Sequence, residues 1–529
     1  MLCRQTSPIS SRHPILWDWL LKWARHGLAP TKRPIRLGFS ISPILELDRI
    51  EFTHTFTALT QKGNRLSLSP QRAVLVADLG YGDAGKGSVV DFLTRDLQAH
   101  TVIRYNGGPQ AAHNVVTPDG RHHTFAQFGS GMFVPGVRTY LSRFMLVEPY
   151  ALFNEEAHLY SRGVTDAFAR TLLDRDALVI TPYQQAANRL RERARGANRH
   201  GSCGLGIGET RADALQHPDD ALVAGDMSDS AGVLRKLRRL RDAKRAEMDE
   251  LWPLLRTLPA AVGDLAVFQD AALPEIIADN YATLATIVSI VDESALREIV
   301  NAPGAIVFEG AQGVLLDEDH GFAPYTTWSK TTFDNAATLL AEQAYGGSIM
   351  RLGLLRAYFT RHGAGPFVTE DSTLKALLPE AHNSTSEWQQ AFRLGHFDLL
   401  AARYALDVAG PVDALALTHL DRLDALPEWR VCGSYSYQGP STMLDAWFEG
   451  SAEAITRIKP RHPADLDHQA ALARHLFACA PRYQTVAHAG VVPYLEAALG
   501  VSVVLTSHGP TSADKRWRDS EVVGRIHAN

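Results

Sequence analysis

A glycine-rich stretch that contains one aspartate and one lysine is the strongest chemical feature of the sequence. It reads Gly80-Tyr-Gly-Asp-Ala-Gly-Lys-Gly87 and nearly matches the phosphate-binding pattern G-x-x-x-x-G-K-[ST]. Gly87 stands where that pattern has a hydroxyl for magnesium, and Ser88 comes one residue later. We expect Asp83, inside the loop, to replace that ligand. The alternative is a plain glycine turn that packs a strand on a helix.

Two further glycine clusters carry polar side chains. Arg104-Tyr-Asn-Gly-Gly-Pro-Gln-Ala-Ala-His113 places an imidazole behind two glycines, and Phe308-Glu-Gly-Ala-Gln-Gly313 places Gln312 before a third. Glycines allow a ligand to approach the backbone closely. A lone histidine is more often structural than catalytic, so a role for His113 depends on the motif around it.

Short apolar runs precede these clusters and predict the strands that position them. Residues 73–78 lead into the glycine loop, and helical spacing follows over 88–97. A helix that begins just after a glycine turn points unpaired amides at an anion, which suits phosphate. The other runs are 101–105, 305–308, 414–421 and 501–510.

The order of these runs predicts an α/β fold with a mostly parallel central sheet and helices on both faces. In such a sheet the site lies at the carboxyl ends of the strands. Segments between the runs are mostly helical, including 230–255. The basic stretch 235–241 in that segment is interpreted as a solvated helix face, since acidic residues follow it directly.

Composition and charge exclude several classes of partner. With 45% hydrophobic and 21% charged residues, the 529-residue chain has the composition of an ordinary soluble protein. A formal net charge of -5 gives no reason to expect nucleic acid or an anionic membrane as a partner, because binding to either is driven by a basic face. No apolar run approaches the ~20 residues of a membrane span. The four cysteines form no CxxC pair, which suits a reducing cytoplasm.

The amino-terminal segment is set apart from the fold. Its first 46 residues carry seven Lys or Arg against Asp18 and Glu46, which loosely resembles a transit peptide. An over-extended start or a disordered arm is the preferred interpretation. We therefore divide the chain into an extension, 1–70, and a catalytic domain, 71–529.

Four motifs occur in an order and spacing that identify a family. They are the loop 82–87, the segments 104–113 and 308–321, and Thr360-Arg-His-Gly-Ala-Gly-Pro-Phe-Val-Thr-Glu370. Together they resemble adenylosuccinate synthetase, which joins IMP and aspartate using GTP. The resemblance extends over about residues 72 to 520. The resemblance implies one large domain with a P-loop-like GTP-binding ligase fold, usually a homodimer. An arginine lent across that dimer falls near His217, where Arg211 is a possible substitute.

The resemblance also assigns catalytic roles. Asp83 would take the proton next to the purine carbonyl and bind Mg²⁺, with the backbone carbonyl of Ala112 as a second ligand. Lys86 would neutralise the phosphates, and His113 would stabilise charge on the leaving oxygen of GTP. Gln312 matches the glutamine that contacts the purine.

For the substrate nucleotide the match is uneven. Gln110, Gln312 and Thr327 fall at family positions. A phosphate loop of the pattern Thr-Thr-Gly-Arg-Gly-Ile-Gly-Pro appears as Ser202-Cys-Gly-Leu-Gly-Ile-Gly-Glu209, so Cys203 and Glu209 replace a threonine and a proline. Phosphate binding through Ser202 and Cys203 is expected, with fewer donors than in the family.

The GTP side is better matched. A Thr-Lys-Leu-Asp run appears as Thr418-His-Leu-Asp421, and a Ser-Thr-Gly-Pro run as Ser507-His-Gly-Pro510. An aspartate can accept hydrogen bonds from guanine N1 and N2, which adenine does not offer. Because His419 replaces the lysine, we expect weaker selectivity for guanine over adenine. The expected GTP-binding residues are Gly82, Gly85, Lys86, Gly87, Asp421, Ser507 and Gly509.

The largest departure concerns the amine substrate. The family binds aspartate with a Thr-Thr-Gly-Arg-x-Arg-Arg segment, which here reads Glu387-Trp-Gln-Gln-Ala-Phe-Arg393. Gln390 replaces an arginine whose guanidinium would bind a carboxylate with two hydrogen bonds, and Arg393 is retained. The upstream segment 383–386 is an alternative cradle for one carboxylate.

Three hypotheses follow. The first is a ligase that uses GTP, Mg²⁺, a purine nucleotide and aspartate. The second is a diverged ligase with another amine or purine-like acceptor, and the third is a non-catalytic GTP-binding relative. Asp83, Lys86 and His113 count against the third, because a protein that only binds GTP needs neither a base nor a charge stabiliser.

Overall fold

The apolar run before the glycine loop forms the central strand of a ten-stranded sheet. Strand β1 (Arg72–Asp78) is buried at six of its seven residues and pairs in parallel with β10 (Ala305–Glu309) and β11 (Ser348–Arg356). Burial on both faces explains why its sequence is continuously apolar rather than alternating.

The computed structural model describes residues 71–196, 199, 201–380, 388, 391–440, 444–461, 465–518 and 523–524.

The secondary structure follows the sequence prediction closely near the site. The predicted helix over 88–97 begins two residues earlier, and the predicted helical segment 230–255 is divided into α5 and α6. In chain order the α-helices of the described residues are α1 (Lys86–Asp96), α2 (Pro149–Ser161), α3 (Pro182–Arg195), α4 (Ile207–Gln216), α5 (Ser230–Glu247), α6 (Trp252–Leu255), α7 (Val262–Gln269), α8 (Leu273–Ile287), α9 (Glu293–Asn301), α10 (Asp334–Glu342), α11 (Leu374–Leu377), α12 (Leu399–Ala409), α13 (Leu466–Phe477) and α14 (Val491–Leu499). The remaining strands are β2 (Thr101–Arg104), β3 (His113–Val116), β4 (His122–Phe125), β5 (Arg138–Leu141), β6 (Leu146–Val147), β7 (Thr171–Asp174), β8 (Leu178–Val179), β9 (Ser289–Val291), β12 (Phe359–His362), β13 (Phe392–Gly395), β14 (Phe397–Asp398), β15 (Ala414–Thr418), β16 (Trp429–Tyr437), β17 (Phe448–Ser451), β18 (Ala454–Ile458), β19 (Cys479–Val486), β20 (Val503–Ser507) and β21 (Lys515–Trp517).

The large sheet is parallel except at one edge. Its order is β21, β20, β15, β11, β1, β10, β2, β5, β7 and β9, and only the pairing of β20 with β21 is antiparallel. Alternate residues of β1 enter two different cores: Leu75 packs with α9, α10 and α12, and Val76 packs with α1. The predicted α/β fold with helices on both faces of a mostly parallel sheet is confirmed.

A smaller sheet lies beside the carboxyl-terminal helices. Strands β14, β16, β18 and β17 are neighbours in that order, and β19 pairs with β16. Among the helices within the described ranges, none is long and apolar enough to cross a bilayer. The predictions for residues 1–70, for 383–386 and for Gln390 lie outside the described residues.

A buried carboxylate links the smaller sheet to helix α12. Asp398 ends β14 and caps α12 by accepting from the Ala401 amide at 3.1 Å, and the Tyr435 hydroxyl donates to the same oxygen at 2.7 Å. Burial raises the pKa of Asp398 from 3.8 to about 6, although these hydrogen bonds oppose the shift. The contribution of this group to stability is therefore largest below pH 3.8 and is lost as pH rises through about 6.

We predict that Asp398→Asn stabilises the chain at pH 7 but not at pH 4. An asparagine oxygen can accept both hydrogen bonds without a buried charge, so we expect a gain of about 1 to 3 kcal/mol at pH 7. The measurement is urea unfolding at the two pH values. Asp292→Asn, at the exposed cap of α9, is the control because hydrogen bonding to Ser294 lowers the pKa of Asp292. Equal effects of Asp398→Asn at both pH values would contradict the assignment.

Candidate active site

The glycine loop delivers the start of α1 to the carboxyl end of β1. Gly85 has φ +79°, a left-handed conformation, and is the residue at which the chain turns into the helix. The first helical bond runs from the Val89 amide to the Gly85 carbonyl at 3.2 Å. The amides of residues 86–88 therefore have no partner within the helix, as an anion site requires.

A buried ion pair fixes the loop. Lys86 Nζ lies 3.0 Å from Asp78 Oδ2 and 2.5 Å from the Gly82 carbonyl oxygen, and both charged side chains are about 1% exposed. Asp78 also accepts from the amides of Gly80 and Ala84, at 2.9 and 2.8 Å. No sequence motif above includes Asp78, although an acidic residue that ends a buried strand beside a glycine loop is a usable signal.

Asp83 presents a carboxylate to the site. Its Oδ2 accepts no hydrogen bond from the described residues, and His362 Nε2 lies 3.5 Å away. The backbone of Asp83 is held by Arg356, whose Nη1 donates to its carbonyl at 3.3 Å. Burial raises the pKa of Asp83, while His362, Lys86 and Arg356 oppose the shift. His362 lies in a motif that was recognised, but its contact with Asp83 could not be read from the sequence.

Steric crowding explains why Gly87 occupies the position at which the phosphate-binding pattern has a hydroxyl residue. A Cβ on Gly87 would lie 2.8 Å from the Asn114 carbonyl oxygen and 3.0 Å from His113 Cβ. The neighbouring hydroxyl is also engaged, since Ser88 Oγ donates to the Gly85 carbonyl at 3.1 Å. Gly87 thus allows β3 to bring His113 against α1.

His113 is held by a carboxylate at the end of β10. Its Nδ1 lies 2.6 Å from Glu309 Oε1, and the Ser130 amide donates to the other oxygen at 2.9 Å. Burial lowers the pKa of His113 to about 4, against the opposing effect of Glu309. Burial opposes ionisation of Glu309, but Arg104 and His113 outweigh it and lower its pKa to about 2. Glu309 lies within the sequence motif 308–321, but its contact with His113 cannot be read from that pattern.

Two glutamines offer amide groups beside the loop. Gln312 has φ 56°, and its buried Oε1 has no partner among the described residues. A Cβ on Gly82 would lie 3.3 Å from the Gln312 backbone, and one on Gly107 3.2 Å from its Oε1. Both amide atoms of Gln110 are likewise buried without a described partner. Buried amides without partners are unusual, so both side chains are available to a ligand.

The second phosphate-type loop is reshaped by its substitutions. Ser202 Oγ donates to Asn188 Oδ1 at 2.8 Å, and Cys203 packs against the apolar cluster that contains Ile207. Glu209 lies 3.0 Å from both Lys244 and Arg191, so its charge is compensated. The hydroxyl and thiol expected to meet phosphate are therefore engaged within the protein, and Glu209 does not add an unpaired negative charge.

Thr327 lies beside this loop. A Cβ on Gly208, in the first turn of α4, would lie 3.1 Å from the Trp328 ring. The Thr327 amide donates to the Leu316 carbonyl at 2.8 Å, which ties it to the turn that follows Gln312. Arg211, the possible substitute for the dimer arginine, lies 3.8 Å from Glu318.

The residues expected to bind guanine lie at or just after the carboxyl ends of two neighbouring strands. Asp421 comes after β15 and Ser507 ends β20, and these strands pair in parallel. Thr418 Oγ1 donates to the Ala84 carbonyl at 3.0 Å, which attaches this edge to the glycine loop. Gly509 accepts from Lys515 Nζ at 2.9 Å.

His419 is part of the wall behind the loop. It has φ 60°, and its Cε1 would lie 3.5 Å from a Cβ on Gly85. Burial lowers the pKa of His419 well below its ordinary value, so the ring is neutral at pH 7. A neutral, packed side chain stands where the family motif has a charged lysine.

Arg393 is already bound within the chain. Its Nη1 donates to the carbonyls of Gly363 and Gly365 at 3.1 and 2.9 Å, and its Nη2 lies 2.5 Å from Glu370. A carboxylate substrate would have to compete with Glu370 for this guanidinium. The expected partner residue, Gln390, lies outside the described residues.

We predict that Gly87→Ser disables the enzyme rather than restoring a magnesium ligand. The added Cβ must displace the His113–Asn114 backbone, and overpacking of this kind costs about 1 to 3 kcal/mol. The measurements are thermal unfolding and turnover of the purified chain. Gly346→Ser is the matched control, since nothing lies within 4 Å of a Cβ there. Full activity of Gly87→Ser would contradict the steric explanation.

Comparison with known proteins agrees with the geometry. The family model described as adenylosuccinate synthetase matches residues 75–515. The adenylosuccinate synthetase of Vibrio cholerae is 33% identical over 391 residues, 73% of this chain and 85% of that protein. That of Desulfovibrio desulfuricans is 30% identical, over 72% of this chain and 85% of that protein.

Two solved structures have the same fold. Fully ligated adenylosuccinate synthetase from Plasmodium falciparum has a TM-score of 0.66 and 19% identity, covering 84% of this chain and 99% of that one. Succinoaminodeoxyadenylate synthetase from cyanophage S-2L, bound to dGMP and dATP, has a TM-score of 0.52 and 17% identity, covering 86% and 99%. On the family model and the sequence relatives together, this chain belongs to the adenylosuccinate synthetase family of GTP-dependent ligases.

Proposed function

We propose that the chain phosphorylates the 6-oxo group of IMP, or of a similar purine nucleotide, with GTP, and that the amine of aspartate then displaces the phosphate. The observation that carries the proposal is the convergence of three groups on one loop. Lys86 lies in the loop, His113 packs against Gly87, and the carboxylate of Asp83 has an oxygen without a described hydrogen-bond donor.

Each of these groups suits one task. Asp83 would accept the proton of the purine ring nitrogen, and burial raises its pKa toward the working pH, which favours a general base. Lys86 would offset the charge of the phosphates. His113 would stabilise charge on the leaving oxygen, which requires a protonated ring. Burial lowers its pKa to about 4 in the chain without ligands, so protonation would have to accompany binding of the anionic phosphates, and the ionised Glu309 favours it.

The site also suits Mg²⁺. No group of three or more His, Cys, Asp or Glu in the described part of the chain is arranged to hold a metal. Mg²⁺ in phosphoryl-transfer sites often takes only one or two carboxylates, with substrate phosphates and water as further ligands. Asp83 Oδ2 and the backbone carbonyl of Ala112 are the proposed protein ligands. The ion would supply positive charge for the transferring phosphoryl group.

A second candidate differs in the amine or the acceptor. The observation that favours it is the pairing of Arg393 with Glu370, which leaves less positive charge for a dicarboxylate than the family motif provides. The cyanophage protein of similar fold is bound to dGMP, so a purine acceptor other than IMP is a reasonable test substrate.

Homodimer formation and a cytoplasmic location remain proposals. Arg211, 3.8 Å from Glu318, lies near His217, the position at which the resemblance places the arginine that is lent across the dimer. Cys203, Cys432 and Cys479 are free thiols, which is compatible with a reducing compartment.

One assay separates the candidates. The full chain is incubated with GTP, Mg²⁺ and either IMP or dGMP, with and without aspartate, and GDP and phosphate are measured. Turnover with IMP that requires aspartate supports the first function. Turnover with dGMP but not with IMP, or turnover that does not depend on aspartate, favours the second function. No GTP consumption with either nucleotide contradicts both.

We predict that Asp83→Asn lowers kcat by about 100-fold or more, because the amide cannot accept the ring proton. GTP binding, measured by equilibrium dialysis, should remain detectable. Asp119→Asn is the matched control, since Asp119 is an exposed carboxylate in the β3–β4 turn. Turnover retained by Asp83→Asn would remove Asp83 as the base.

We also predict that Asp421→Asn reduces the preference for GTP over ATP. A charged acceptor for guanine N1 and N2 is lost, and hydrogen bonds to charged groups contribute about 1.5 to 3 kcal/mol, or roughly 10- to 100-fold. The measurement is kcat/KM for the two nucleotides. Asp424→Asn changes an exposed carboxylate in the same turn and should leave the ratio unaltered. An unchanged ratio in Asp421→Asn would place the guanine elsewhere.

A further inference from the structure

A second cavity lies on the smaller sheet, away from the glycine loop. Its volume is about 390 Å³, and it is bordered by β16, β19 and the helices α12 and α14. Ligand pockets commonly have volumes from about 300 to 1,000 Å³. None of the described residues that line it belongs to the loop 82–87 or to the nucleotide motifs. The cavity is therefore not explained by the proposed reaction.

The wall of this cavity is rich in hydrogen-bond donors and lacks acids. Arg403 and Arg482 are the charged residues among the described residues that line it, and Ser434 and Gln484 add neutral donors. Glu453, whose pKa is lowered by a hydrogen bond from Ser451 and by the charge of Arg482, is fully exposed and does not line the cavity. The local charge therefore favours an anion.

Both arginines retain free donors. Arg482 makes no ion pair or side-chain hydrogen bond with any described residue, and it is exposed on β19. Arg403 uses Nε and Nη2 on the Ala498 carbonyl, at 3.3 and 3.1 Å, so its Nη1 is not engaged by a described residue. A guanidinium has five N–H donors in a planar fork that matches the oxygens of phosphate.

A break in the sheet shapes the same place. The pairing of β16 with β19 shifts between Cys432 and Ser434, so Gly433 is an extra residue in its strand. Such bulges interrupt the ladder and redirect side chains, and they are frequent next to binding sites. Here the bulge sets Ser434 opposite Arg482, at the cavity wall.

We propose that this cavity binds a phosphate-bearing small molecule through Arg403 and Arg482. The size of the cavity fits a single phosphorylated metabolite rather than a macromolecule, and the two guanidinium groups on its wall favour an anion. Binding here does not depend on the reaction assigned to the glycine loop, so the inference stands separately from the proposed function.

The cavity wall also reaches the region of the amine site. The Tyr483 hydroxyl donates to the Thr369 carbonyl at 3.3 Å, and its ring contacts His396 with centroids 5.0 Å apart. Thr369 precedes Glu370, the partner of Arg393. A ligand beside Tyr483 therefore has a direct structural connection to the residue that holds this arginine.

The test is protection of Arg482 from an arginine-specific reagent. The full chain is treated with phenylglyoxal in chloride, inorganic phosphate or AMP at equal ionic strength, and modified peptides are quantified by mass spectrometry. We expect phosphate or AMP at several times its dissociation constant to slow modification of Arg482 about five-fold. Adenosine, which lacks the phosphate, should give no protection.

Two controls make the result decisive. Arg430 is an exposed arginine of the same sheet that is paired with Glu428, and its modification rate should not depend on phosphate. Arg403→Ala should abolish protection of Arg482 if the two side chains form one site, with folding checked by thermal unfolding. Equal protection of Arg430 and Arg482, no protection of Arg482, or protection that persists in a folded Arg403→Ala variant would each overturn the proposal.

Discussion

The pairing of Lys86 with Asp78 is the interaction on which the site depends. Asp78 stands at the carboxyl end of the central strand, where it accepts two loop amides as well as the Lys86 ammonium. Breaking a buried pair by removing one partner typically costs about 3 to 5 kcal/mol, because the other charge is left without compensation. The same carboxylate thus shapes the phosphate loop and holds its cation in place before any ligand binds.

The parallel sheet explains why other groups reach this loop. Strand β10 lies next to β1, so Glu309 at its end stands near the loop and holds His113. Strand β15 lies on the other side of β11 and supplies Thr418, which binds the Ala84 carbonyl. Strands that end at one edge deliver their terminal residues to a common place, and the ligand site of such folds is found there.

The amine side of the site is organised differently. Arg393 is held by Glu370 and by two backbone carbonyls, and Trp388 packs against Gly204 in the reshaped loop. On the glycine-loop side, by contrast, Asp83, Gln110 and Gln312 keep buried polar atoms without a described hydrogen-bond partner. These atoms are available to a ligand, whereas Arg393, the proposed contact for the amine substrate, is already paired within the chain.

Fold class and family could be predicted from the sequence, and a glycine loop could be located in it, because apolar runs, glycine spacing and ordered motifs are local patterns. The contacts within the site could not, because they depend on which strand ends meet at one edge of the sheet. Only the approach of β3 to α1 explains Gly87, and only the neighbouring strand end explains why Glu309 holds His113. Likewise, the sequence shows Glu209 in place of a proline and Arg393 as a retained arginine, but not that each is paired within the chain, with Lys244 and Glu370 at separations of 35 and 23 residues.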